Sequence, residues 1–155
     1  MNYPIFELQR PDYLLSTDPA RLDLAVIHHF LTNCYWSPGI PRSIVERAVA
    51  GSVSFGIHAT AGGQVGFGRI ITDGATFGYL ADVFVLPEHR GRGLGRWLVE
   101  SMLAHPSLQG FRTWLLATQD AHGLYANYGF QPLPHPERYL VLPRAHPYRT
   151  SPATG

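Results

Sequence analysis

The sequence predicts an α/β fold in which a mixed, mostly antiparallel sheet contains one parallel strand-helix-strand crossover and is flanked by about four helices. Three β-rich runs follow one another with short turns between them, which favours antiparallel pairing. The hydrophobic period then changes from that of a strand to that of a helix, and a further apolar run follows. A strand that is reached through a helix pairs parallel with the strand before it.

The chain length indicates a single domain. Its 155 residues can bury one substantial core and are too few for two ordinary domains. We expect the domain to cover residues 1–146 and a flexible tail to cover residues 147–155, because the biased, proline-bearing end of a chain tends to fray.

The first third of the chain predicts two helices. Asp18-Pro19 offers an N-cap residue and an early proline, and apolar residues recur at helical spacing over residues 22–31. Two prolines and a glycine within residues 37–41 end this helix. A short second helix is expected over Ser43–Ala50, before Gly51.

The remaining elements follow from changes of period. The three β-rich runs are Ser52–Ala59, Gln64–Thr72 and Phe77–Leu86. A helical stripe runs from Leu94 to Met102, and Pro106 stops it. After it we expect a buried strand over Phe111–Ala117 and a helix from about Asp120 to Tyr128, which ends at Gly129. A final strand is expected over Arg138–Leu142.

Composition argues against several classes of partner. Lys and Arg number 12 and Asp and Glu 11, for a net charge of +1, so we expect no nucleic-acid partner. No run approaches the ~20 apolar residues that cross a bilayer, so we expect no membrane partner. The lone Cys34 and the absence of a signal-peptide pattern predict a cytoplasmic protein. We expect a monomer or a homodimer. The histidines lack ligand spacing, which predicts no metal site.

The most informative segment is a strand that leads into a glycine-rich turn and then a helix. The turn reads Arg90-Gly91-Arg92-Gly93-Leu94-Gly95. Residues without Cβ let backbone N–H groups close around phosphate oxygens, and a helix N-terminus adds about half a positive charge. The turn lacks the Gly-Lys-Ser/Thr end of a Walker loop and the third glycine of a dinucleotide fingerprint. It therefore predicts a phosphate site of another kind.

This turn resembles the Arg/Gln-x-x-Gly-x-Gly/Ala signature of the GNAT superfamily of N-acetyltransferases. Ala121, Leu124-Tyr125 and Gly129-Phe130 resemble the second half of that pattern, and Thr118 stands where the superfamily usually has asparagine. The resemblance implies acetyl-coenzyme A as cofactor and direct transfer of its acetyl group to the primary amine of a small molecule or peptide.

The resemblance also implies positions for the cofactor. The pyrophosphate is expected on the turn from Arg90 to Gly95, that is on Arg90, Gly91, Arg92, Gly93, Leu94 and Gly95. The pantetheine arm is expected to pair like an added strand with Val83, Phe84 and Val85. Thr118 is expected beside the same arm, without the hydrogen bond that the asparagine side chain makes in relatives.

Three side chains are candidates for catalysis. By resemblance, the Tyr125 hydroxyl lies near the thioester sulfur, where it hydrogen-bonds the departing thiolate. Asp82 interrupts an apolar strand, where a carboxylate is costly unless it is used or paired, so it is either the general base or an ion-pair partner of an arginine such as Arg69. His122, three residues before Tyr125, is a candidate proton relay or a surface histidine.

The acceptor side is less defined by the sequence. Tyr35 and Trp36 lie in a loop bounded by proline and glycine, where they either form an aromatic wall for the acceptor, together with Asp82, or seal the core. The alternative function is a GNAT-like module that binds acyl-coenzyme A as a sensor without turnover. Tyr125 and Asp82 argue against that alternative, because a pure binder needs neither.

Overall fold

The protein is described here from a computed structural model, which covers residues 2–145 and 147–148. Six strands form one sheet in the order in which they occur in the chain: β1 Glu7–Arg10, β2 Tyr13–Ser16, β3 Val53–Ala59, β4 Gln64–Thr72, β5 Phe77–Val85 and β6 Thr113–Leu116. The first five pair antiparallel, and β5 pairs parallel with β6. The predicted mixed sheet with one parallel crossover is confirmed.

Four α-helices accompany the sheet within the described residues: α1 Leu24–Asn33, α2 Arg42–Ala50, α3 Leu94–Leu103 and α4 His122–Ala126. Asp23 caps α1 by accepting hydrogen bonds from two backbone N–H groups of its first turn. Asp18, the expected cap, instead caps a short 3₁₀ turn over Pro19–Arg21, so the first helix begins later than predicted.

The sheet separates two apolar clusters. Phe55 and Leu98 belong to the larger one, which α3 covers. Ile27 and Phe67 belong to the smaller one, beneath α1 and α2, and Tyr148 packs against it. Most of the predicted tail, together with residue 146, lies outside the described residues, so the expected domain boundary and flexibility stay predictions.

Several expectations about elements are corrected. The Arg138–Leu142 segment is not a strand: it follows a proline-rich stretch, Pro136–Arg138 forms a 3₁₀ turn, and Leu140 is 97% exposed. The strand that was predicted to be buried over Phe111–Ala117 is β6, which spans only four residues and is half-buried because it lies at the edge of the sheet. The helix expected from Asp120 is shorter, and α4 has five residues.

The N-terminal hairpin of β1 and β2 is absent from the expectations. All four residues of β1 are exposed, so no alternation of buried and exposed side chains marks it. The signals that could have revealed the hairpin are Pro11-Asp12, a turn pair at which Asp12 has φ 69°, and the buried Tyr13 and Leu15 on alternate positions of β2. Among the described residues, no helix is both long and apolar enough to cross a membrane.

Candidate active site

A cleft opens where β5 and β6 diverge. Their parallel pairing ends at Leu80 and Leu116, whereas β5 continues to Val85. A cavity of about 580 Å³ lies at this point, bounded by the Tyr35-Trp36 loop, the second half of β5 and the segment from β6 to α4. The residues predicted for the site that it brings together are Tyr35, Trp36, Asp82, Val83, Thr118 and Tyr125.

A β-bulge in β5 directs Asp82 at the cleft. Gly68 of β4 faces two residues of β5, Asp82 and Val83, and Asp82 has φ 55°. Aspartate tolerates this left-handed conformation better than most side chains do, though at a cost of ~1 kcal/mol or more. Such a strained position persists only where surrounding contacts fix it.

Contacts to both carboxylate oxygens fix Asp82. Arg69 Nε donates to Oδ2 at 2.6 Å and Trp36 Nε1 donates to Oδ1 at 3.0 Å. Arg69 Nη1 also donates to Ser52 Oγ at 3.0 Å, and the Arg69 and Asp82 side chains are only 16% and 13% exposed. The ion-pair alternative for Asp82 is therefore present in the structure, and the same carboxylate holds the Trp36 ring at the cleft.

The open edge of β5 offers backbone groups to the cleft. The Leu86 N–H donates to the Val65 carbonyl on β4. Because backbone groups alternate along a strand, those of Phe84 also point at β4, while the N–H groups of Val83 and Val85 point away from it. The Phe84 ring is buried and stacks on Phe30 at 3.9 Å, so Phe84 serves the core rather than the open edge.

The glycine turn presents unpaired donors at the start of α3. Gly91 and Gly93 have φ 78° and 76°, and in the described part of the chain none of the six backbone N–H groups from Gly91 to Arg96 donates a hydrogen bond. A Cβ added at Gly95 would meet no protein atom within 4 Å. The fold itself does not require a glycine there, so the free space fits a ligand that approaches the helix N-terminus.

The two arginines of the turn are held by different partners. Arg90 Nε donates to the Val85 carbonyl at 3.1 Å, which ties the turn to the end of β5. Arg92 Nη1 donates to the Tyr13 hydroxyl at 2.7 Å. Both side chains are exposed, so their remaining donors are accessible to an anion.

Tyr125 brings a phenol to the cleft from α4. The residue is 8% exposed, its ring packs edge-on against Phe130, and its hydroxyl has no hydrogen-bond partner among the described residues. Burial, with smaller contributions from nearby Tyr35 and Asp120, raises the pKa of Tyr125 to about 12. The phenol is thus neutral and free to donate. Thr118 Oγ1 accepts from the Ala121 N–H at 3.0 Å, which orders the entry to α4.

The aromatic loop forms the opposite wall. Tyr35 is 55% exposed and Trp36 41% exposed, with their rings edge-to-face at 5.1 Å, so neither side chain seals the core. Asp120, which the sequence reasoning did not select, also lines the cleft, and it forms no ion pair among the described residues. Its position after β6 was the available signal, because polar residues that follow a strand at a sheet opening often serve a site.

His122 lies elsewhere. It is exposed and lines a neighbouring groove of about 860 Å³ on the side of β6 and the 130–134 segment, not the cleft that contains Asp82. Its predicted relay role has no contact to support it. Within residues 2–145 and 147–148, no three His, Cys, Asp or Glu side chains gather in a way that could hold a metal ion.

Comparison with known proteins agrees with this geometry. Residues 52–132 match the family model described as the acetyltransferase (GNAT) domain. A protein of Gibberella zeae named "Putative acetyltransferase FG08082" is 36% identical in an alignment 145 positions long. The match covers 79% of this chain and 81% of that protein.

Solved structures share the fold. A GNAT-family structure from Xanthomonas campestris pv. campestris is 47% identical, with a TM-score of 0.86 over 92% of this chain and 100% of that one. A Clostridium acetobutylicum structure, a predicted acetyltransferase with acetyl-CoA, is 15% identical and shows the fold alone, with a TM-score of 0.58 over 77% of this chain and 86% of that one. With more than half of its length in the family model and close relatives matched over most of their length, the chain belongs to the GNAT acetyltransferase family.

Proposed function

We propose that the protein transfers an acetyl group from acetyl-coenzyme A to a primary amine of a small molecule or peptide, by direct attack within a ternary complex. The observation that carries the proposal is a pair of stretches with unpaired donors, joined by one short turn. The open edge of β5 ends at Val85, and after the 3₁₀ turn Pro87–His89 the six free N–H groups at the start of α3 begin at Gly91. One elongated ligand with an amide-bearing arm and a pyrophosphate matches both stretches.

The residues fit that ligand at both ends. Backbone N–H groups and the α3 dipole favour an anion at the turn, and Arg90 and Arg92 add formal charge there. The Val83 and Val85 N–H groups lie on the cleft side of β5, where they can pair with amide groups of the arm and donate to a thioester carbonyl oxygen. Acetyl-coenzyme A supplies the thioester and its departing thiolate.

Tyr125 acts by hydrogen bonding rather than by full proton transfer. With its pKa near 12, complete transfer to an alkyl thiolate of pKa ~8.5 is uphill by about 5 kcal/mol. A hydrogen bond that strengthens as negative charge develops on sulfur needs no such transfer. The free hydroxyl supports this role, because no acceptor in residues 2–145 and 147–148 competes for its proton.

The acceptor amine enters between the aromatic loop and α4. The Asp82 carboxylate fixes Trp36 and balances the Arg69 charge, so it shapes the wall of this entrance. Asp120 leaves an unpaired carboxylate at the same cleft, which favours a cationic amine over an anionic acceptor. A proton released by the amine can reach either carboxylate through water, and the two routes are separated by the Asp82 variant discussed below.

Titration and turnover together test the proposal. Purified protein is titrated with coenzyme A by calorimetry, and thiol release from acetyl-coenzyme A is followed with a panel of amines of graded pKa. We expect saturable binding and amine-dependent thiol release. Binding without thiol release on any amine would instead favour the sensor alternative, and the absence of binding would refute the cofactor site.

A further inference from the structure

One buried tyrosine joins the N-terminal hairpin to the glycine turn. Tyr13 of β2 is 7% exposed, and its hydroxyl oxygen lies 2.7 Å from Arg92 Nη1 and 2.9 Å from His89 Nδ1. The Tyr13 and His89 rings also meet edge-on, with centroids 5.8 Å apart. The residue before the turn and an arginine within it are therefore tied to a single oxygen atom.

The direction of the Arg92 contact follows from its chemistry. A guanidinium only donates, so the Tyr13 oxygen accepts from Arg92. The direction of the contact with His89 follows the imidazole tautomer: a bare Nδ1 accepts the phenolic hydrogen, and an Nδ1 that carries hydrogen donates to the Tyr13 oxygen. The arrangement uses one Arg92 donor and leaves the rest of its planar fork available.

Little else holds the Arg92 side chain in place. It lies between two glycines with positive φ, and a Cβ at either would meet no atom within 4 Å, so no other part of the protein packs closely beside Arg92 in the turn. Arg92 itself is exposed. A long exposed side chain on such a turn samples many rotamers unless a partner selects one, and ordering it on binding would weaken affinity.

We propose that Tyr13 is a positioning residue for the phosphate groups of coenzyme A. Its hydroxyl holds the Arg92 guanidinium in one orientation before the ligand arrives, so that the free donors face the phosphate oxygens. A second contact from the hairpin supports the helix behind the turn, since the Arg10 guanidinium lies 4.7 Å from the centroid of the Trp97 ring on α3. This inference rests on the proposed function.

The test removes only the hydroxyl. Affinities of full-length wild type and Tyr13→Phe are measured for coenzyme A by calorimetry, and steady-state kinetics are compared for acetyl-coenzyme A and S-acetylpantetheine, which lacks the pyrophosphate and nucleotide. We expect Tyr13→Phe to weaken coenzyme A binding about tenfold, the size of one lost preorganised charged contact. The KM for S-acetylpantetheine and the kcat at saturation should stay unchanged.

A matched control is Tyr128→Phe. The Tyr128 hydroxyl lies 3.0 Å from Glu100 Oε1 and 3.4 Å from the Arg96 carbonyl oxygen, both on α3, and it makes no hydrogen bond to the turn from Arg90 to Gly95. Its removal should leave the affinity for coenzyme A unchanged. Circular dichroism and melting temperatures of both variants show whether the fold is intact.

A double-mutant cycle separates positioning from general support of the fold. Arg92→Ala alone should weaken coenzyme A and spare S-acetylpantetheine, and adding Tyr13→Phe to it should cause no further loss. Equal losses for the two thioesters, or additive losses in the double variant, would overturn the inference. If the wild type binds coenzyme A and Tyr13→Phe binds it equally well, only the inference about Tyr13 is overturned. If the wild type does not bind coenzyme A, the proposed function is overturned and this inference falls with it.

Discussion

The proposed cofactor half and the proposed acceptor half of the cleft are formed by different kinds of group: backbone N–H groups in the first and side chains in the second. The turn before α3 presents backbone N–H groups whose positions depend on two left-handed glycines. The acceptor wall depends on side chains, namely the triangle of Trp36, Asp82 and Arg69. Backbone donors serve any ligand with the right phosphate geometry, whereas a wall of side chains changes with every substitution. In the proposed function, the first half therefore indicates the cofactor class, and the second half is expected to select the amine.

The largest expected effect is at Gly95. Because a Cβ there meets no protein atom and the residue lies in the first turn of α3, Gly95→Ala should fold normally and gain up to about 1 kcal/mol of stability. Affinity for coenzyme A should fall about 100-fold, because the added methyl occupies the space of the ligand. Calorimetry and thermal melts measure the two quantities on the same samples.

Gly123→Ala is the matched control for this experiment. Gly123 is also a helical glycine without an atom within 4 Å of an added Cβ, but it lies in α4 and lines neither the cleft nor the groove. It should keep full affinity for coenzyme A. Unchanged affinity in Gly95→Ala would contradict the assignment of the turn. Gly93 is less informative, since its φ of 76° makes any substitution strain the backbone itself.

Tyr125→Phe should have the next largest effect. Removing the hydroxyl deletes a hydrogen bond that forms mainly as the thiolate departs, so kcat should fall about 10- to 100-fold while affinity for coenzyme A stays within about twofold. Rapid-quench measurement of the chemical step, alongside calorimetric titration, separates the two quantities. Equal turnover in the variant and wild type would leave Tyr125 as a packing residue against Phe130.

The same contrast explains how far the sequence could predict this protein. Their β-rich composition and the turn residues between them predicted β3, β4 and β5 to within one residue of their ends. The glycine turn was recognisable because glycine spacing reports backbone geometry directly. Arg138–Leu142 has the apolar character of a strand, yet no neighbouring strand pairs with it in the described chain. Pairing depends on long-range contacts that local propensity does not contain.

Contacts between residues that are distant in the chain could not be predicted from the sequence for the same reason. Trp36 and Asp82 are 46 positions apart, and they meet only because the bulge turns Asp82 into the cleft. The hairpin that supports the turn was missed because β1 is exposed throughout and shows no alternation. The sequence suggested Arg69 as a partner for Asp82, but whether Asp82 also accepts a proton depends on chemistry at the assembled site.

Asp82→Asn addresses that question. The substitution leaves the Arg69 charge uncompensated at a largely buried site, so the free energy of unfolding should fall by about 2 kcal/mol. If Asp82 only positions Trp36, all amines should lose activity alike and the pH profile of kcat/KM should keep its shape. If Asp82 is the base, the low-pH limb should disappear and strongly basic amines should suffer most.

Glu46→Gln is the control for Asp82→Asn. It breaks the Arg42–Glu46 pair, which also joins an arginine Nε to a carboxylate oxygen, at 3.0 Å, but has side chains that are 54% and 46% exposed. Its stability should change by less than about 0.5 kcal/mol. A loss as large as that of Asp82→Asn would show that burial does not explain the cost, and an Asp82→Asn variant as stable as wild type would contradict the pairing role.

The smallest expected effect concerns pH and the side of the molecule away from the cleft. His105 is fully buried beneath Tyr3, Phe6 and Phe55, and burial lowers its pKa below the usual 6.5. Below pH 6.5 the unfolded chain binds a proton at this residue that the folded chain does not, so stability is complete above that pH and falls as pH drops towards the lowered pKa. In the wild type, the Ser107 N–H donates to His105 Nδ1 at 3.2 Å. The glutamine side chain in His105→Gln still offers an acceptor for this N–H, but it does not titrate. The stability of this variant should depend less on pH than that of wild type between pH 7 and 5. Some dependence should remain, because burial also lowers the pKa of His58.

The control is His135→Gln, at an exposed residue paired with Glu137, which should keep the wild-type pH dependence. Urea unfolding at several pH values measures these slopes, and parallel curves for wild type and His105→Gln would show that His105 does not link folding to pH.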